Sequence, residues 1–263
     1  MGIVNVTPDS FSDGGARLNP DQAIADAVQM VADGADLLDI GGESTRPGAP
    51  PVDADEEWRR VGPVLEGLCG RVPVPVSIDT TKAPIAERAI AAGATMVNDV
   101  SALTGDPDLA GVIARSGAAV VLMHSRGRSQ QMYAAASYDD VVGEVLLELE
   151  ERGRTAITAG IDPRRIIYDP GLGFAKRANH SLEALAGLSR LHALGRPLLS
   201  GPSRKSFLTA AVGDVPARDR VWATAAAVTA SILAGAHIVR VHDVAAMTQV
   251  ARTADAILSA RPA

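Results

Sequence analysis

The sequence predicts an α/β chain folded as a single (β/α)8 barrel, one domain over residues 1–263. Three observations carry this expectation. Short apolar runs alternate with longer helical stretches along the whole chain. Eight such βα units in 263 residues match the usual size of that barrel. An open doubly wound sheet carries a glycine-rich fingerprint after its first strand, but Thr7-Pro8-Asp9-Ser10 stands there instead.

The predicted elements follow in order. The first run, residues 3–6, leads through a polar loop to a helical stretch at 21–32. Run 36–40 is followed by 54–68, run 74–78 by 84–92, and run 95–100 by 108–115. Run 118–123 precedes 138–158, and run 165–168 precedes 181–194. Run 197–200 leads into two stretches, 204–212 and 217–234, and run 237–241 into 244–259. The runs are apolar throughout, as strands covered on both faces should be. Gly34, Gly93, Gly117, Gly160 and Gly235 each close a helical stretch, a place suited to a left-handed cap. Proline and glycine are scattered, so no linker divides the chain. Residues 221–239 lack Asp, Glu, Lys and Arg, but Gly235 and several polar side chains mark a helix followed by a strand, not a membrane span.

Composition narrows the function. The net charge is −6, the sign opposite to that of a phosphate-driven nucleic-acid binder. Three Phe, two Trp and three Tyr are too few for base-stacking platforms. Cys69 is the single cysteine, which excludes an internal disulfide and a multi-cysteine zinc site, and suits a reducing cytoplasm. The first residues show no basic-then-apolar targeting pattern.

Polar groups mark every strand end: Asn5, Asp39 through Arg46, Asp79, Asn98-Asp99, His124, Asp169, Ser203 through Ser206, and Arg240 with His242. In a barrel those ends share one rim, where barrel active sites lie. Arg240 and His242 are two apart and point the same way, so together they can hold an anion; an ion pair of Arg240 with Asp243 is the plainer alternative. Ser203-Arg204-Lys205-Ser206 is read as a helix start, where free N–H groups favour a negative ligand. Asp79, Asn98 and Asp169 can bind a flat heterocycle edge-on, with a carboxylate-bound metal as the rival reading. Val100 and Met123 are read as pocket walls, and His180 and His192 as solvent-facing. The glycine-rich loops at 7–15 and 41–49 are candidate lids, with Phe11 at the tip of the first. There is no Ser-His-Asp nucleophile elbow and no P-loop lysine motif.

Ile3-Val4-Asn5-Val6-Thr7-Pro8-Asp9-Ser10-Phe11-Ser12-Asp13-Gly14-Gly15 resembles the first signature of the dihydropteroate synthase family. Asp39-Ile40-Gly41-Gly42-Glu43-Ser44-Thr45-Arg46-Pro47-Gly48 resembles its second. Asp169-Pro170-Gly171-Leu172-Gly173-Phe174-Ala175-Lys176, Gly201-Pro202-Ser203-Arg204-Lys205 and Arg240-Val241-His242-Asp243 follow in the family's order. The resemblance implies a TIM barrel that works as a cytoplasmic homodimer. It implies a transferase that condenses 6-hydroxymethyl-7,8-dihydropterin diphosphate with 4-aminobenzoate, with Mg2+, in folate biosynthesis. Sulfonamides would compete, and neither nucleic acid nor membrane would be a partner. Asp79, Asn98, Asp169 and Lys205 would hold the pterin, with Val100, Met123 and Gly201 around it. Asn5 would ligate the Mg2+; Asn5, Arg46, Arg240 and His242 would hold the diphosphate. Thr45, Pro47, Phe174, Ser203 and Ser206 would frame the aminobenzoate. The family usually carries a short hairpin before the first strand that covers the barrel floor, and this sequence starts at the strand, so that hairpin is expected to be lacking. A pterin-dependent methyltransferase and a non-catalytic pterin-binding paralogue are the alternatives. The first needs no diphosphate site, and the second would be expected to lack Asn5, Lys205, Arg240 or His242.

Overall fold

Parallel strands with both faces covered need helices on one side and a filled lumen on the other. The structure, a computed structural model, describes residues 1–7, 19–44, 48–127 and 136–260. Its strands are β1 Gly2–Asn5, β2 Leu38–Gly41, β3 Val76–Asp79, β4 Met96–Asp99, β5 Ala119–Met123, β6 Ile166–Asp169, β7 Leu199–Ser200 and β8 Ile238–Val239. Each lies within two residues of its predicted ends. β1 to β6 pair in chain order, all parallel, and β7 pairs with β8. Two bridges join these sheets into a ring. Tyr168 pairs with Leu198, and its N–H donates to Pro197 O at 3.0 Å. Gly2 pairs with Val241, Val241 N–H donates to Met1 O and Ile3 N–H to Val241 O, both at 3.0 Å. The barrel is closed.

The helices outside are α1 Pro20–Ala32, α2 Ala54–Leu68, α3 Ala83–Ala91, α4 Leu109–Ser116, α5 Val141–Thr158, α6 Ala178–Ala186, α7 Thr209–Val212, α8 Val221–Leu233 and α9 Val244–Ser259. Local chemistry sets their starts. Asn19 accepts from the N–H groups of Asp21 and Gln22, Asp53 from Glu56 and Asp140 from Gly143. None of the described helices is long and apolar enough to cross a membrane.

Two predicted helices are corrected. Residues 181–194 do not form one helix: α6 stops at Ala186 and a 3-10 segment runs over Leu188–Leu194. Gly187 marks the break, and a Cβ there would stand 2.6 Å from Val142 Cγ2, so close approach to α5 excludes a side chain. Residues 204–212 do not begin a helix at Ser203 either. Arg204 is left-handed (φ 60°) and Lys205 extended, so only a 3-10 turn at Ser206–Leu208 and the four-residue α7 follow. Such a short helix offers little of the dipole the sequence reading assigned to it.

The core has two parts. Strand side chains facing outward pack with the helices around Ile40, Leu65, Ile78, Leu122, Leu149 and Ile166. A separate small cluster fills the lumen: Met1, Leu37, Val121, Ile167 and Leu199, with Met96 and Ile238 against them. Side chains two apart share a face. One step along the same inward faces, Leu37 gives way to Asp39, Met96 to Asn98, Ile167 to Asp169 and Ile238 to Arg240. The apolar floor and the polar rim are thus one alternating pattern.

Candidate active site

β-register sets the rim. Asn5 pairs with Gly41, Gly41 with Asp79 and Asp79 with Asn98, so four strands deliver these residues to one level. Arg240 reaches across from β8. Its Nε donates to Asp39 Oδ2 at 2.6 Å and its Nη2 to Asp79 Oδ2 at 2.8 Å. Asn98 Nδ2 donates to the same Asp39 oxygen at 2.9 Å. Burial opposes the Arg240 charge, but Asp39 and Asp79 outweigh it and raise its pKa. Burial pushes the Asp79 carboxyl up to about 7 against the pull of Arg240. The expected alternative, an Arg240–Asp243 ion pair, does not form. Asp243 instead holds Arg204, whose Nε donates to it at 2.9 Å. That bond, with Arg204 N–H donating to Thr224 Oγ1 at 3.1 Å, secures the left-handed residue before Lys205.

Lys205 is the second cation. Its Nζ donates to Leu172 O and lies 4.6 Å from the centre of the Phe174 ring. Burial lowers its pKa to about 8, with Asp169 pulling the other way. Asp169 is itself raised by burial, against the charge of Lys205, and accepts from Gly171 N–H at 2.7 Å. Ser203, buried, shares a 3.0 Å hydrogen bond with His242 Nδ1 and accepts from His242 N–H at 3.2 Å. Met123 and Gly201 are buried at the same rim, Val100, Phe174 and Asn5 are half-buried, and Ser206 is exposed. Thr45, Arg46 and Pro47 lie outside the described residues, as does the loop carrying Phe11.

Sequence reasoning gave no binding role to Asp39, which ties Asn98 to Arg240. The signal was present: a charge inside an apolar run, two residues before the strand's end. It also passed over a buried chain beside the rim. Lys176, 1% exposed, approaches His124 Nδ1 at 2.8 Å, and His124 Nε2 lies 3.0 Å from Glu148 Oε2. Burial lowers Lys176 to about 7 and His124 to about 4. His180 is corrected. It is half-buried, not solvent-facing, with its ring edge-on to Tyr138 at 5.1 Å. His192 is exposed, as expected. Among the described residues no group of three or more His, Cys, Asp or Glu stands close enough to hold a metal.

Taken together, two carboxylates and an amide line one side of a rim, and two cations face them from β8 and the segment after β7. That set can grip a heterocycle's N–H edge while presenting positive charge to an anion.

Residues 1–242 match the family described as pterin binding enzyme. A dihydropteroate synthase from Synechocystis is 46% identical over 98% of this chain and 89% of its own length. The solved dihydropteroate synthase of Xanthomonas albilineans with 4-aminobenzoic acid superposes with a TM-score of 0.93 at 46% identity, covering 100% of this chain and 93% of that one. The Yersinia pestis enzyme, solved as a sulfonamide drug complex, gives 0.94 at 42% identity, covering 99% and 94%.

Proposed function

The chain belongs to the pterin binding enzyme family and, within it, to the dihydropteroate synthases, and from that premise we propose how its rim residues divide the work. The reaction joins the methylene carbon of 6-hydroxymethyl-7,8-dihydropterin diphosphate to the amine of 4-aminobenzoate. It releases diphosphate and gives 7,8-dihydropteroate, a step of folate biosynthesis. Asp79, Asn98, Asp169 and Lys205 hold the pterin, with Val100, Met123 and Gly201 as its walls. Asn5, Arg46, Arg240 and His242 take the diphosphate. Thr45, Pro47, Phe174, Ser203 and Ser206 frame the aminobenzoate.

The single observation that carries this division is Arg240 anchored on both Asp39 and Asp79. Two carboxylates fix the guanidinium and keep it charged before any ligand arrives. A preset cation stabilises charge developing on a leaving group without reorganising. The C–O bond breaks first, the pterin ring shares the positive charge left on its methylene, and the amine then attacks. The amine needs no activation, which accounts for the missing triad.

The Asn5 amide is an oxygen ligand of the kind Mg2+ accepts beside substrate phosphates and water. With that donor set the residues fit a cation arriving with the diphosphate, and when bound it would neutralise charge on the leaving group. We also propose a cytoplasmic homodimer, on the lone Cys69 and the alanine-rich α8, where Trp222 is 82% exposed.

The test is diphosphate release in Mg2+, with and without 4-aminobenzoate, for this protein and for Lys205→Ala. Release that needs aminobenzoate, yields dihydropteroate and falls at least 100-fold in the variant is expected, about 3 kcal/mol of lost stabilisation. A sulfonamide added to the same assay should compete with aminobenzoate. Pterin binding without product would return the non-catalytic reading.

A further inference from the structure

Lys176 is a fully buried lysine, and no carboxylate in the described structure pairs with it. Its hydrogen-bond partners are His124 Nδ1 at 2.8 Å, Gly171 O at 3.2 Å and Phe174 O at 3.2 Å, and its Nζ stands 5.8 Å from the centre of the Tyr138 ring. The direction of the chain follows from charge. Glu148 is held down to about 2, first by its hydrogen bond with His124 and then by Arg126, so it accepts. His124 Nε2 therefore carries the proton it gives to Glu148. Burial keeps the ring neutral, so Nδ1 offers a lone pair and Lys176 donates to it. Three acceptors surround Nζ, one for each N–H of its protonated form.

The other side of the same turn meets a second lysine. Leu172 O accepts from Lys205, while Gly171 O and Phe174 O accept from Lys176. The carbonyls of residues 171, 172 and 174 are thus shared between a lysine beneath and a lysine in the site. The chain also continues away from the rim. Glu148 Oε1 accepts from Arg126 Nε at 3.0 Å, and Arg126 Nη1 donates to Ser137 O at 2.6 Å. The Arg126 guanidinium lies 4.0 Å over the Tyr138 ring, and the Tyr138 hydroxyl donates to Ala175 O at 3.0 Å. That last bond returns the circuit to the turn.

We propose that Lys176 is a positioning residue for the synthase reaction: a three-donor support beneath the 171–174 turn that sets the carbonyl Lys205 leans on and the place of the Phe174 ring, tied through His124 and Glu148 to the segment after β5. It rests on the reading above, in which Phe174 faces aminobenzoate and Lys205 the pterin.

Lys176→Met keeps the length of the side chain and removes every donor. KM for 4-aminobenzoate should rise at least tenfold, because Phe174 rides on the turn. The pterin KM should rise by less, because Lys205 leans on the turn whereas Asp79, Asn98 and Asp169 sit on strands. A fall in kcat with both KM values unchanged reports only lost folded enzyme and overturns the proposal. If the variant does not fold, 15N spectra of the histidines in the native protein decide, with His124→Gln for assignment. The proposal requires His124 as the Nε2–H tautomer at neutral pH; an Nδ1–H ring defeats it. A native chain that makes no dihydropteroate defeats the functional reading instead, and the histidine spectrum still reports on Lys176.

Discussion

At the scale of single residues the rim is built against its own stability. Lys205 and Lys176 titrate near 8 and 7 because burial disfavours their charge. An unfolded chain keeps those protons up to the ordinary lysine value near 10.5. The unfolded state therefore binds more protons across that window, and stability rises with pH from about 7 to about 10. Asp79 works with the opposite sign. Its folded value of about 7 exceeds the ordinary carboxyl, so its contribution falls as pH climbs from about 4 to about 7. The local minimum lies near neutrality, where a ligand would be bound. Urea midpoints at pH 7 and pH 9.5 check this: the native protein should be more stable at the higher pH, and Lys176→Met should show a smaller gain. Much of this was legible in the sequence as residue types at strand ends. Which carboxylate Arg240 would take was not, because Asp39 and Asp79 come from different strands and only the register places them side by side.

At the scale of elements the strands were the most legible part. Parallel strands buried on both faces read as plain apolar runs, and all eight were found. The helices were less so at two places, both decided by packing and dihedral angle instead of pattern. Gly187 lets the chain press on α5, and a left-handed Arg204 postpones the helix after β7. The 171–174 turn is the element most exposed to a small change. Gly171 has φ 65°, and a Cβ there would fall 1.9 Å from the His124 carbonyl oxygen. Gly171→Ala should cost about 3 kcal/mol, the left-handed strain adding to a backbone clash that cannot relax cheaply. Urea unfolding measures it, and a loss below about 1 kcal/mol would show that the turn shifts freely.

At the scale of the whole molecule the ring is uneven. β1 to β6 are stitched by full registers, whereas β6 to β7 and β8 to β1 meet at single bridges. Local opening should begin at those seams. In native-state hydrogen exchange the Tyr168 and Val241 amides should exchange faster than those of β3 and β4; equal protection throughout would show that the barrel opens only as one unit. Barrel closure itself was legible from the count of βα units. The difference in seam strength was not, since β7 and β8 read as runs as long as the others and are short only because few of their rungs form.

That closure also sets an order in time. β1 leaves the ribosome before any other strand of the barrel, and its partner at Val241 only after the other seven strands. Until then the newborn chain carries an open sheet with a bare parallel edge and an uncovered lumen, a surface that invites its neighbours. The interval before β8 emerges is the one in which this chain most needs a chaperone.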